Sequence, residues 1–234
     1  AAVGAVGAAG AAGAAGAPAF RIDYGRDVEP EVARLTECIA AHPGLAATFQ
    51  PRWLAIKLLE AEGDLLALDI GVKHRGMIGD AAWTYSIGSA TEMGKRLQAC
   101  GRESLRRGIA AIKAGRPMIE WAKAVQGYVE RDCRFHLVRG LGGHGIGRDL
   151  HGPPFISNVV PTYPGEWGEA WKPWVPGMLV AVEPMLAVGT TETRTKGREW
   201  PIWTADGSLA VHYEADVLIT AKGPRIIAAA DVYF

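Results

Sequence analysis

The spacing of hydrophobic residues changes along this chain from a helical to a strand-like pattern. Residues 28–41, VEPEVARLTECIAA, place hydrophobic side chains three or four positions apart, at Val28, Val32, Leu35 and Ile39. This spacing predicts a short amphipathic helix that ends at residues 42–44, His-Pro-Gly. From residue 65 to 87 the pattern alternates in DLLALDIGV and GDAAWTYSI, on either side of a turn at residues 73–76. The alternation predicts a β-hairpin.

Two longer helices are predicted after the hairpin. The first covers residues 92–113 and ends at Gly115, and the second starts at Pro117, a residue suited to the first turn of a helix. Each has its hydrophobic residues on one face, which is typical of a helix packed on a sheet. Short strands separated by Gly and Pro are predicted to follow, around residues 136–138, 178–182, 211–220 and 226–229.

This order of elements predicts an α+β fold with one curved antiparallel sheet flanked by helices. Residues 1–17 contain only Ala, Gly and Val. Residues 1–19 are therefore interpreted as a low-complexity tail, and residues 20–234 as a single domain. A long loop with three Trp residues is predicted at residues 161–177, hereafter the tryptophan-rich segment. Loops of this length are often functional.

Composition excludes several classes of protein. The 234 residues are 49% hydrophobic, which is enough for a substantial core, and 25 basic residues balance 25 acidic ones. The balance gives no overall field that would attract nucleic acid or an anionic membrane. Three cysteines without CxxC spacing argue against a disulfide framework and favour a reducing, intracellular compartment. No run of about 18 apolar residues suggests a membrane span.

Four acidic residues occupy positions where a charged side chain is unfavourable unless a cation lies beside it. Asp69 and Asp80 lie on the two strands of the predicted hairpin. With the turn centred at residues 74–75, they would face each other or be offset by one residue. Like charges in that position destabilise a sheet unless a cation lies between them. Glu183 and Glu214 are set among apolar residues, in LVAVEPM and VHYEADVLIT, with no Lys or Arg beside them. Buried carboxylates need such a partner, so the pattern favours a metal site.

His144 is the candidate imidazole ligand. It lies in GLGGHGIGRDLHG, where the glycines permit tight turns that could direct its ring inward. A phosphate-binding loop is the alternative, but this segment lacks the Lys-Ser/Thr ending of a P-loop. His151 follows seven residues later and could face the same cleft. Four carboxylates and one imidazole suit Mn²⁺, Fe²⁺, Co²⁺ or Zn²⁺.

Taken in order, these segments resemble the methionine aminopeptidases of the pita-bread fold, and the bacterial type I form in particular. The resemblance extends from about residue 64 to the C-terminus and also includes AIKAGRP and PGMLVAVEPML. It implies a dinuclear centre of divalent ions (Co, Mn, Fe or Zn) that activates a water molecule. Its ligands would be Asp69, Asp80, His144, Glu183 and Glu214.

The resemblance also implies individual roles. Glu183 would shuttle a proton, His151 would contact the scissile carbonyl, and Trp200 would line the methionine pocket. The expected activity is removal of the N-terminal methionine from peptides and nascent proteins. The expected setting is the cytoplasm, with the ribosome as a candidate partner, no nucleic acid or membrane partner, and a monomeric state.

Three features depart from the family pattern. A histidine in a Cys-His-Gly context is missing upstream of Asp69, where FQPRWLAIKLLEAEG stands instead. The usual His-Glu-x-Pro is His-Gly-Pro-Pro from His151, and Ala215 stands where His is common. The tryptophan-rich segment is also longer than usual. Two alternatives therefore stay open, namely an Xaa-Pro aminopeptidase or dipeptidase of the same fold and a non-catalytic metal-containing binding protein.

Overall fold

The computed structural model describes residues 2–6, 29–41, 51–52, 55, 65–86, 89–195 and 201–229. The chain separates into two compact units. One is made of Ala1–Ala8 with Gly63–Phe234, and the other is Ala9–Glu62. The boundary between a tail and a single domain at residues 19 and 20 stays a prediction.

The smaller unit contains helix α1, Glu29–Ala40, which confirms the predicted amphipathic helix. Its hydrophobic side chains Val32 and Ile39 are buried. Both terminal nitrogens of Arg52 donate hydrogen bonds to the Glu29 carboxylate, at 3.0 and 2.7 Å. This paired geometry fixes the guanidinium. Residues 42–44, predicted to end the helix, lie outside the described residues.

The predicted hairpin is present in the larger unit. Strand β2, Leu65–His74, pairs with β3, Met77–Ser86, around a two-residue turn at Arg75 and Gly76. Both turn residues have positive φ, 49° and 81°, as a tight hairpin turn requires. Strand β1, Ala2–Val6, lies parallel to β2.

Both predicted helices are confirmed. Helix α2, Glu92–Ala111, begins where the Thr91 hydroxyl accepts a hydrogen bond from the Gly94 amide at 3.1 Å. Helix α3, Ile119–Gln126, continues as a π-helical turn, Gly127–Asp132. The buried faces of α2 and α3 join one hydrophobic core with the inner faces of the strands.

The remaining strands are short, and several lie in Gly- or Pro-rich stretches where no strand was predicted. They are β4 His136–Leu137, β5 Gly142–Gly145, β6 Gly152–Ser157, β7 Leu179–Val182, β8 Met185–Ala187, β9 Thr193–Thr195, β10 Pro201–Thr204, β11 Ala210–His212, β12 Ala215–Thr220 and β13 Gly223–Ala229. The strand predicted at residues 211–220 is two strands, because Tyr213 and Glu214 leave the ladder between β11 and β12.

Within the described residues, the strands form three hydrogen-bonded sheets rather than one continuous ladder. Their orders are β3-β2-β1-β10-β9, β11-β8-β4 and β13-β12-β7-β5-β6, and every pairing but that of β1 with β2 is antiparallel. Breaks at residues 183–184 and 213–214 separate the second sheet from the third. Both breaks carry candidate ligands, so the divided sheet shapes the site.

The tryptophan-rich segment is closely packed for much of its length. Trp167 and Trp174 are buried, whereas Trp171 is 71% exposed. The Trp167 indole donates to the Phe155 carbonyl at 2.9 Å. Across the described part of the chain, no helix is both long and apolar enough to span a membrane.

Candidate metal centre

The hairpin places its two aspartates on one face but not opposite each other. In the observed register Asp69 faces Ala82 and Asp80 faces Gly71. The prediction that the aspartates face each other, or are offset by one residue, was wrong because the turn is centred at residues 75–76, one position later than expected. Alternation still directs both side chains to the same side, where they form a diagonal pair.

Glu183 and Glu214 lie at the two strand breaks. Glu183 follows β7 and precedes Pro184, while Glu214 lies between β11 and β12. The Glu214 amide donates to the Ala82 carbonyl at 2.9 Å, which ties this break to the hairpin. Both side chains are buried, at 8% and 1% exposure.

His144, on β5, places its ring near Asp80 and Glu183. Its Nδ1 lies 3.1 Å from the Gly145 carbonyl oxygen. A carbonyl oxygen can only accept, so Nδ1 carries the proton and Nε2 offers its lone pair to the site. That arrangement is the usual support of a metal-bound histidine. The Nε2 atom lies 3.6 Å from Glu183 Oε1 and 3.9 Å from Asp80 Oδ2.

Two overlapping sets of three residues could each hold a metal ion. One is Asp80, His144 and Glu214, and the other is Glu183, His212 and Glu214. Within each set the ligand atoms lie within 4.8 Å of one another. Glu214 belongs to both sets and is the residue that they share. Asp69 is outside both sets, but its carboxyl group is near enough to His212 and Asp80 for their charges to shift its pKa.

Acidic side chains outnumber the two imidazoles in this cluster, and burial affects their pKa values. Burial raises the pKa of Asp69 and of Asp80. Burial also raises the pKa of Glu214 well above its ordinary value, and the charges of Glu183 and Asp69 raise it further. Carboxyl groups that are buried this close together keep protons unless a cation neutralises them. A divalent cation would replace such protons, so these residues fit a metal centre.

Sequence reasoning missed two buried residues at this centre. Asp216 accepts a hydrogen bond from the Asp80 amide at 2.9 Å, and burial raises its pKa to about 6. His212 places Nε2 3.0 Å from Glu183 Oε2. The signal for both was available, because each is a polar residue in the apolar stretch that also carries Glu214.

The main chain of Glu183 is also held by a hydrogen bond. Asn158 donates its side-chain amide to the Glu183 carbonyl at 3.0 Å and accepts from the Trp121 indole at 3.3 Å. Asn158 is buried, and Trp121 belongs to α3. The helix layer therefore fixes the strand break that carries Glu183.

The two other predicted site residues differ in outcome. The His151 ring lies against the His144 ring, with centroids 4.5 Å apart and planes at 75°, so His151 is beside the centre. Its side chain is exposed, as a substrate contact would be. Trp200 lies outside the described residues, and its role stays a prediction.

A family model described as metallopeptidase family M24 matches residues 50–221. A model of the FeoB cytosolic helical domain matches residues 24–69, well under half of the chain. Methionine aminopeptidase 1 from Mycobacterium tuberculosis is 40% identical over 172 residues, which are 71% of this chain and 62% of that protein. Methionine aminopeptidase 1 from Bacillus subtilis is 36% identical over 166 residues, covering 71% and 64%. The chain thus spans less than two thirds of the length of these relatives.

Solved structures show the same relationship. The methionine aminopeptidase from Thermotoga maritima superposes with a TM-score of 0.64 and 36% identity, over 70% of this chain and 64% of that one. A prolidase from Pyrococcus furiosus gives a TM-score of 0.56 at 18% identity, over 84% and 60%, which shows the fold alone. The α+β pita-bread fold and the resemblance to methionine aminopeptidases are both confirmed.

Proposed function

Since the chain belongs to metallopeptidase family M24, we propose that it removes the N-terminal methionine from peptides and nascent proteins with a divalent metal cofactor. The observation that carries the proposal is that four buried side chains with metal-binding groups lie close together: Asp80, His144, Glu183 and Glu214. Relatives that share this stretch of chain are named methionine aminopeptidases.

The residues present would hold two ions. His144 and Glu183 would bind one, Asp69 the other, and Asp80 and Glu214 would bridge them. Bound divalent ions supply Lewis acidity and lower the pKa of a water molecule toward neutrality. The ions are taken from Co, Mn, Fe and Zn, because a carboxylate-rich set with one imidazole accepts all four.

The protein's own groups would move the proton. Glu183 would take a proton from the attacking water and deliver it to the amide nitrogen that leaves. The peptide C–N bond breaks as the new C–O bond forms, so that methionine and a shortened peptide with a free amine are the products. His151, beside the His144 ring, would direct the scissile carbonyl toward the centre.

Several parts of the proposal concern the setting. We propose that the enzyme acts in the cytoplasm on chains that emerge from the ribosome. We also propose that it is a monomer. The similarity to bacterial methionine aminopeptidases supports this setting.

The test is hydrolysis of two short peptides by protein reconstituted with Mn²⁺ or Co²⁺. We expect methionine release from a Met-Ala peptide and much slower cleavage of an Ala-Pro peptide. Glu183→Ala should abolish release because the proton acceptor is lost. Glu120→Ala is the matched control, since Glu120 is an acid on the surface of α3 that pairs only with Lys123 within the described contacts.

Two results would redirect the assignment. Preferential cleavage of the Ala-Pro peptide would favour an Xaa-Pro aminopeptidase or dipeptidase. Equal inactivity of the wild type and Glu183→Ala, with metal bound to the wild type, would favour a non-catalytic binding protein.

A further inference from the structure

His212 is a buried imidazole at the centre to which the proposed function assigns no task. It is 2% exposed, and Nε2 lies 3.0 Å from Glu183 Oε2. This distance suits a hydrogen bond, but two ligands of the same ion can also lie this close. The two possibilities differ in which ring nitrogen carries the proton.

The hydrogen bonding of His212 Nδ1 distinguishes a metal ligand from a hydrogen-bond donor. A neutral histidine that binds metal through Nε2 must carry its proton on Nδ1, and that N–H nearly always has an acceptor. His144 meets this condition through the Gly145 carbonyl. His212 Nδ1 is buried and has no hydrogen-bond partner among the described residues. As a ligand, His212 would bury an unpaired donor, whereas a proton on Nε2 is used by Glu183.

The main chain of His212 is held firmly enough to position another group. The Thr84 hydroxyl donates to the His212 carbonyl and accepts from the His212 amide, both at 2.9 Å. Thr84 is itself buried, and its carbonyl accepts from the Gln98 side chain of α2 at 3.1 Å. On the other side, His212 is paired with Met185, two residues beyond Glu183. The imidazole therefore stands on a backbone tied to β3 and β8.

We propose that His212 is a positioning residue that donates its Nε2 proton to Glu183 Oε2 and is not itself a metal ligand. This bond leaves Oε1, the oxygen nearer to His144, as the atom that faces the centre. The proposal rests on the proposed function, because it assigns the two Glu183 oxygens different tasks. One oxygen is held by His212, and the other is free for the metal and the transferred proton.

The consequence is a specific effect on catalysis. Without the donor, Glu183 can rotate and present both oxygens to the cation, which would make it a poorer proton acceptor. Substrate binding by the other residues would change little. The loss should therefore appear in kcat rather than in KM.

Two variants and a spectroscopic measurement test the assignment. His212→Gln keeps an N–H donor near the position of Nε2 and should retain kcat within about threefold, whereas His212→Leu should lose roughly ten- to a hundredfold with KM nearly unchanged. Both should bind the same amount of Mn²⁺ by elemental analysis. Pulsed EPR of the wild type with one equivalent of Mn²⁺ should show nitrogen coupling from one coordinated imidazole, that of His144, and the same signal in both variants.

Some results would overturn the inference. They are a second imidazole coupling in the wild type, loss of a coupling in His212→Gln, an inactive His212→Gln, or a fully active His212→Leu. The wild-type spectrum decides the question even if His212→Leu does not fold. If the wild type fails to cleave Met-Ala, the proposed function is wrong, while the nitrogen count and metal content still test the role of His212.

Discussion

At the scale of single residues, the centre depends on buried acids that pair with histidines but with no Lys or Arg within the described contacts. Asp80 and Asp216 form a linked pair, since the Asp80 amide donates to the Asp216 carboxylate while the Asp80 carboxylate faces His144. Desolvation makes these charges costly without a counter-ion. Each acid should therefore affect metal binding more than it affects the fold.

Asp80→Asn tests this directly. The change keeps the shape of the side chain and the backbone bond to Asp216, and it removes one negative charge from the proposed bridging position. Metal affinity should fall at least roughly tenfold, as seen when the support of a metal site is altered. Elemental analysis after dialysis measures the effect. Asp132→Asn is the control because Asp132 is a surface acid paired with Arg131. Undiminished metal in Asp80→Asn would remove Asp80 from the site.

At the scale of elements, α2 lies close to its neighbours at two glycines. A Cβ atom at Gly101 would come within 2.5 Å of the Tyr213 ring. A Cβ at Gly108 would overlap the Trp121 ring and lie 2.7 Å from Val125 Cγ2. These glycines allow α2 to approach both α3 and the strand break that holds Glu214.

Gly108→Ala should therefore destabilise the protein. Alanine favours a helix by about 1 kcal/mol over glycine, but overpacking against a buried Trp typically costs about 1–3 kcal/mol. We expect a net loss in the free energy of unfolding, measured by urea denaturation with metal held constant. Gly168→Ala is the control, because a Cβ there meets no atom within 4 Å. A more stable Gly108→Ala would show that α2 and α3 can separate without loss.

An ion-pair cluster on the surface of α2 should make the stability of the protein depend on pH. Hydrogen bonds from Arg106 and Arg107 lower the pKa of Glu103 to about 2. A lowered pKa means that Glu103 stabilises the fold above its unfolded pKa near 4.5, and that this contribution disappears as the pH falls through about 2. Both arginines are about half exposed, so the effect should be only about 0.5–1 kcal/mol.

Glu103→Gln should thus lower the free energy of unfolding at pH 7 and match the wild type near pH 2, as measured by urea denaturation. Glu169→Gln is the comparison, since Glu169 pairs with a largely exposed Lys172 at 3.6 Å. Its change should be too small to measure. A Glu103→Gln deficit that persisted at pH 2 would assign the effect to packing and not to charge.

At the scale of the whole molecule, stability and metal content should be linked through pH. Burial raises the pKa of Asp69, Asp80, Glu214 and Asp216, the last to about 6. Burial acts to lower the pKa of His212, but the hydrogen bond to Glu183 and the charge of Asp69 raise it overall. For all five groups the folded state binds protons more strongly than the unfolded state does.

The metal-free protein should therefore become less stable as the pH rises. The stability that these groups contribute is complete below their unfolded pKa values and is lost through their raised folded values, from about pH 4 to above 6.5. Thermal unfolding in EDTA should show Tm falling over this range. Mn²⁺ should raise Tm most at the upper end, where fewer protons compete for the ligands. A metal-free Tm that rises with pH would contradict the assigned burial of these acids.

Much of the element order and the chemistry of the site can be predicted from local patterns in the sequence. Hydrophobic periodicity located α1, α2, α3 and the β2–β3 hairpin, because those segments are long enough for a repeat to show. Acids in apolar surroundings identified the candidate ligands, since desolvation makes such positions costly without a cation. The family followed from five such segments in one order.

The strand register and the short strands could be established only from the folded chain. The hairpin register depended on a turn one residue from the expected place, and a one-residue shift in the turn moves each cross-strand partner by two positions. Strands such as β5 are glycine-rich and too short for alternation to predict them. Only the fold brought His212 to Glu183 and Asp216 to Asp80, because contacts between residues far apart in the chain arise from packing that no local pattern encodes.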